Sequence, residues 1–297
     1  MRLTKFTNNK LKKIVHIYQL EYINGKSPGL GDFLRGSFCF MQLAHLWNLE
    51  FEIDISNHPI SKYIEKSNYS QGIDYSNVEF YFEHNRDSQG SNNYEEKKTN
   101  INIDFLDTTV QWLNSKDCEV FGFFSNAFPC FNRHTQEGRQ LINSKLQPNE
   151  FMRKYIDNAL EELGLTKKRY GVIHIRTGDK YLVNGEDMDS QFINKIKQEI
   201  NKLIIPERRY LIISDSNILK SHLKSIPNLY ILIRDIQHLG GECMKNHESD
   251  GIMNTMLEYY LMGYSNAIFS LSVYDHVSGF SKYCSILNNI PFNFIQI

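Results

Sequence analysis

Tyr170-Gly-Val-Ile-His-Ile-Arg-Thr-Gly-Asp-Lys-Tyr181 joins an apolar run, Gly171 to Ile175 with only His174 interrupting it, to an arginine, a glycine and an aspartate. A run apolar on both faces reads as a strand buried inside a parallel α/β sheet. Its polar residues then fall at the carboxyl edge, where such sheets bind ligands. A guanidinium held at that edge suits phosphate, because its planar fork meets two oxygens at once. The local alternative is that Arg176 and Asp179 pair across a tight turn closed by Gly178, with His174 a satisfied core residue.

On the carboxyl side the same grammar repeats. Gln191–Ile204 carries Phe192, Ile193, Ile196, Ile200 and Leu203 at helical spacing. Tyr210–Ile213 reads as a strand ending in Ser214-Asp215-Ser216, Asn217–Ser225 as a short helix and Leu229–Ile233 as a strand. Ile252–Met262 reads as a helix, Ala267–Ser270 as a strand and Phe280–Leu287 as a last helix. On the amino side, Pro148 and Asn149 open a helix with Phe151, Tyr155, Ile156, Ala159, Leu160 and Leu163 on one face and Gly164 after it. Further back, Lys13–Leu20 reads as a strand, Phe33–Trp47 as an amphipathic helix, Phe51–Ile55 as a strand and Val120–Phe124 as another, ending at Ser125-Asn126. Residues 67–100 are polar and read as a loop or insertion. Alternation of this kind predicts an α/β protein with parallel sheets covered on both faces, in two Rossmann-like lobes, 1–147 and 148–297, facing a cleft.

Composition narrows the function. A formal net charge of −1 lacks the basic face a general nucleic-acid binder needs. No segment reaches the roughly 20 apolar residues of a spanning helix, so no transmembrane anchor is expected. The amino terminus is polar, without the apolar centre of a secretory signal. The cysteines Cys39, Cys118, Cys130, Cys243 and Cys284 are odd in number and scattered, which reads as free thiols in the cytoplasm.

Between the first strand and helix, Gly29-Leu-Gly-Asp-Phe-Leu-Arg-Gly36 reads as a glycine turn. Gly29 and Gly31 there would let backbone approach an anion near a helix amino end. Its spacing departs from the dinucleotide fingerprint, and no G-K-S/T follows as in a P-loop. A tight turn without a ligand fits equally. Ser214-Asp215-Ser216 suits a helix cap close to a ligand, and Asp250 suits a cap of the next helix. Ser270-Leu-Ser272 and His276-Val-Ser-Gly-Phe-Ser281 bring hydroxyl and backbone donors fit for a diphosphate. Asp187-Met-Asp189 has the D-x-D form of metal-binding transferases but sits in a polar loop beyond the strand end, so a solvated loop is the reading and no metal site is expected. The histidines show no metal-ligand spacing, and no G-x-S-x-G elbow occurs.

Together these segments resemble the fucosyltransferase superfamily of α1,6-, α1,2- and protein O-fucosyltransferases. His174-Ile-Arg-Thr-Gly-Asp-Lys180 is similar to its first motif, Tyr210-Leu-Ile-Ile-Ser-Asp-Ser-Asn217 to its second, and Asp250 through Ser281 to its third; Gly29–Gly36 is similar to its Gly-x-Gly-Asn opening, with Asp32 for Asn. Where the family has a second arginine this chain has Thr177. The resemblance implies a GT-B fold and an inverting glycosyltransferase, with GDP-fucose as donor, a glycan acceptor and no essential metal or other cofactor. It implies Arg176 as the clamp on the departing diphosphate, His174 and Asp179 beside it, and Asp250 facing guanine or ribose. Asp215, Ser278, Phe280, Ser281, Gly29 and Gly31 would complete the donor site. Glu186, with Asp187 and Asp32 as rivals, would be the base. A GT-B enzyme using another nucleotide sugar, or an inactive nucleotide- or glycan-binding relative, is the alternative.

Overall fold

The computed structural model describes residues 4–20, 28–70, 107, 109–124, 134–178, 181, 188–240 and 249–297. Two parallel sheets organise them. In the first, β1 (Lys13–Ile17) lies between β2 (Glu50–Asp54) and β3 (Val120–Phe123). The second has the order β6-β5-β4-β7-β8, with β4 (Tyr170–Arg176), β5 (Arg209–Ser214), β6 (Leu229–Ile231), β7 (Ala267–Ser272) and β8 (Phe292–Gln296). That is a doubly wound order with its switch point between β4 and β7, where ligands of open α/β sheets bind.

The helices follow from their apolar stripes. They are α1 (Leu30–Leu46), α2 (Gln136–Lys145), α3 (Glu150–Glu162), α4 (Ser190–Leu203), α5 (Asn217–Leu223), α6 (Ser249–Gly263) and α7 (Gly279–Asn288). α3 starts at the Asn149 cap, whose side chain accepts from the Met152 N–H, and is followed by Gly164 at φ 60°, a left-handed position that suits glycine. Alternate β4 residues feed two cores. Val172 joins the larger cluster with Ile14, Phe38, Ile156 and Leu257, while Ile173 and Ile175 pack with Ile196, Ile200 and Leu219 on the far side. The larger cluster draws on both sheets, so the two halves share one buried interior. Among the described residues no helix is long and apolar enough to cross a membrane.

Three local expectations change. The glycine segment is not a loop, because α1 begins at Leu30 and takes in Gly31, Asp32 and Gly36. The reason is long-range. A Cβ on Gly31 would lie 2.2 Å from the carbonyl carbon of Gly279, so the first turns of α1 and α7 cross backbone to backbone. A helix-interior glycine costs about 1 kcal/mol against alanine, and this contact is what requires it. The polar helix α2 and the edge strand β8 were not expected; α2 buries only Gly138 and Ile142, and β8 is partly or fully exposed along its length.

A second junction lies nearby. A Cβ on Gly240 would meet the Gly29 nitrogen at 2.5 Å. The Tyr18 hydroxyl lies 2.9 Å from the carbonyl oxygens of both Pro28 and Leu239 and shares its hydrogen between them. Both junctions border the cleft.

Candidate active site

The switch point opens into a cavity of about 630 Å³. The first turn of α1 (Gly29, Gly31, Asp32, Arg35) forms one wall. The ends of β4 and β5, the segment Ile236–Leu239, α6, the β7–α7 loop, the start of α7 and His134 form the rest.

Arg176 ends β4 with its side chain only 15% exposed. One guanidinium nitrogen donates to Asp215 Oδ2 at 2.6 Å. Thr177 donates its backbone N–H at 2.9 Å and its hydroxyl at 2.7 Å to Asp215 Oδ1. Asp215 thus receives charge-assisted bonds on both oxygens, and the helix cap expected of this turn falls to Ser216, which accepts from the Leu219 N–H. Thr177 is buried and anchors that carboxylate. Gly178 turns the chain at φ 103°, where a Cβ would also meet Val273 at 3.0 Å.

His174 lies one inward position before Arg176, 6% exposed, its ring 5.8 Å from Phe280. Among the described residues its buried Nδ1 has no hydrogen-bond partner, an unmet need in a residue that lines the cavity. Burial first, then the Arg176 and Lys220 charges, hold the imidazole down to about 4, against the pull of Asp215. His174 is therefore neutral at physiological pH. Between about pH 6.5 and 4 the unfolded chain binds a proton that folded His174 refuses. Stability from this group is thus full above 6.5 and falls as pH drops through that window. Roughly 2 kcal/mol should be lost between pH 7 and 5 on this account. Urea denaturation of His174→Gln should show that much less pH dependence than the parent; equal slopes would count against it.

The amino end of α7 completes this face. Ser278 is its N-cap but makes no side-chain capping bond, and Gly29 likewise leaves α1 uncapped by a side chain. Two helix amino ends without side-chain caps thus meet at the Gly31–Gly279 crossing, a combination that favours an anion.

Of the expected site residues, the fold brings Gly29, Gly31, Asp32, His174, Arg176, Asp215, Ser278 and Phe280 to one cavity. It does not bring Ser281, which is buried with its hydroxyl 3.0 Å from that of Ser270. Nor does it bring Asp250, an exposed residue in the first turn of α6. Asp32 is ion-paired to Arg35 at 3.1 Å. Asp189 caps α4 by accepting from the Gln191 N–H. Asp179, Glu186 and Asp187 lie outside the described residues.

Sequence reasoning missed Glu258. It stands two turns beyond Asp250 on α6, lines the cavity, and is paired with the fully buried Lys220 of α5. Burial pushes its carboxyl above the usual range although Lys220 opposes this. The signal that could have found it is a lone acid within the largely apolar run Ile252–Met262.

No family model matches the chain, and no curated protein sequence does. Solved structures do. NodZ fucosyltransferase from Bradyrhizobium is similar with a TM-score of 0.53 and 14% identity over 94% of each chain. An Arabidopsis thaliana FUT1 variant in complex with GDP gives 0.56 and 10%, over 96% of this chain and 70% of that one. POFUT1 in its apo form gives 0.51 and 10%, over 98% and 99%. This is the GT-B fold of the fucosyltransferases. Identities this low speak for architecture, and the chemistry has to come from the cavity itself.

Proposed function

We propose that the protein is an inverting glycosyltransferase that moves fucose from GDP-fucose to a hydroxyl of a glycan or glycoconjugate. The observation that carries this reading is the anchored Arg176 guanidinium, which shares a cavity with the uncapped amino end of α7 and with His174. NodZ, similar in fold, has been crystallised with GDP and soaked with GDP-fucose.

As the bond from the sugar's C1 to the β-phosphate oxygen breaks, charge builds on GDP while the sugar gains oxocarbenium character. Fixed donors aimed at that charge lower the barrier, each worth about 3–4 kcal/mol. Arg176 and the α7 N–H groups take this role, without an essential divalent ion. His174, neutral, offers Nδ1 to a nucleotide hydroxyl or phosphate. The acceptor hydroxyl attacks C1 from the opposite face and gives its proton to a carboxylate. Asp32 is the described candidate, with Glu186 and Asp187 its rivals. Guanine presents two adjacent donors, N1–H and the 2-amino group, which a carboxylate accepts together. Glu258, in place of Asp250, is assigned that role.

Thermal denaturation tests the donor class. GDP or GDP-fucose at 100 times Kd should add about 2.7 kcal/mol of stability, with EDTA present and absent, and UDP should add none. Stabilisation by UDP but not GDP would overturn the reading, and dependence on a divalent ion would overturn its metal-free form.

A further inference from the structure

The β7–α7 loop carries a ring pair that the chemistry above leaves unused. Tyr274 and His276 stack with centroids 5.1 Å apart and planes 20° from parallel, and both line the cavity. Tyr274 is half-buried and His276 exposed. Their place follows from register. Ser272 pairs with Arg176, so the loop starts beside the guanidinium. A Cβ on Gly178 would come within 3.4 Å of the Tyr274 hydroxyl, so that ring is seated against the turn after Arg176.

Strand order then sorts the two ends of the cavity. β5 and β6 lie on one side of β4, and β7 and β8 on the other. Lys220, the partner of Glu258, follows β5, and Ile236–Leu239 follows β6. The carboxylate assigned to guanine therefore belongs to one flank and the ring pair to the other. In a nucleoside diphosphate sugar the base and the hexose stand at opposite ends of the diphosphate. With the base toward Glu258 and the diphosphate at Arg176, the hexose falls toward Tyr274 and His276.

We infer that this ring pair is the platform for the donor's hexose and selects a 6-deoxy sugar; the inference rests on the GDP-fucose reading. A pyranose lays its C–H face on an aromatic ring, and a methyl at C5 packs there without loss. A hydroxymethyl group would surrender hydration of its hydroxyl for no hydrogen bond.

Titration calorimetry with GDP, GDP-fucose and GDP-L-galactose, which differs from GDP-fucose only by the C6 hydroxyl, tests this. The unaltered protein should bind GDP-fucose more tightly than GDP-L-galactose. Tyr274→Ala should keep its GDP affinity and weaken GDP-fucose by about five- to tenfold, erasing the preference, whereas Tyr274→Phe should match the parent. If Tyr274→Ala does not fold, His276→Ala, at an exposed ring, should show the same selective loss in smaller degree. Equal weakening of GDP and GDP-fucose overturns the inference. So does an unchanged ratio, including the case where only acceptor KM moves. Absence of GDP binding in the unaltered protein would remove the GDP-fucose reading and this inference together; GDP and GDP-fucose binding with an unmoved ratio would remove this one alone.

Discussion

Arg176→Ala should lower kcat by about 10²–10³-fold, roughly 3–4 kcal/mol of barrier, and raise the donor KM, while the protein stays folded. The folded state survives because Asp215, stripped of the guanidinium, still accepts the Thr177 N–H and hydroxyl. Arg176→Lys should recover only part of the loss, since an ammonium restores charge without the planar fork. Asp215→Asn should fall between the two, because it loosens the arginine without removing it. Steady-state kinetics of GDP release from GDP-fucose, with melting curves alongside, separate these outcomes. Turnover of Arg176→Ala within tenfold of the parent would leave the leaving group without its proposed clamp.

The strands of the second sheet were legible because burial on both faces leaves a continuous apolar run, as in Tyr170–Arg176 and Arg209–Ser214. α4 was legible from a stripe through Ile193, Ile196 and Ile200. β8 was not, since an edge strand half open to solvent carries neither an apolar run nor a clean alternation. The start of α1 was misread for a different reason. Glycine in a sequence signals a turn, and only the distant backbone of Gly279 explains why Gly31 stands inside a helix.

The site was legible where a strand end carries it. Arg176 and His174 sit in the motif that names them, and Asp215 at the neighbouring strand end. What the sequence hid was the pairing. Asp215, which bonds both Arg176 and Thr177, lies at the end of the adjacent strand, far from them in sequence. Glu258 was hidden likewise, because an acid in an apolar helix makes sense only once Lys220 of another helix stands against it.

That pair gives the largest expected loss of stability. Lys220 is fully buried and Glu258 nearly so. Lys220→Met keeps length and apolar fit but leaves a carboxylate in the interior without its cation, which typically costs about 3–5 kcal/mol. Part of that cost should return in acid. Burial already holds the Glu258 carboxyl above its usual range, and loss of Lys220 raises it further. The folded variant then binds a proton that the unfolded chain gives up near pH 4.5. Stability should therefore fall as pH rises from there through the raised folded value, the reverse of the trend expected from His174. Urea titrations of Lys220→Met at pH 5 and 7.5, against the parent, read both effects. Lys220→Met/Glu258→Leu removes both charges and should regain most of the stability lost at pH 7.5, since an apolar pair of similar volume commonly matches a buried ion pair. It should not regain GDP affinity if Glu258 meets guanine. A single variant costing under 1 kcal/mol would show that water already reaches the pair, and a double variant that binds GDP normally would take guanine recognition away from Glu258.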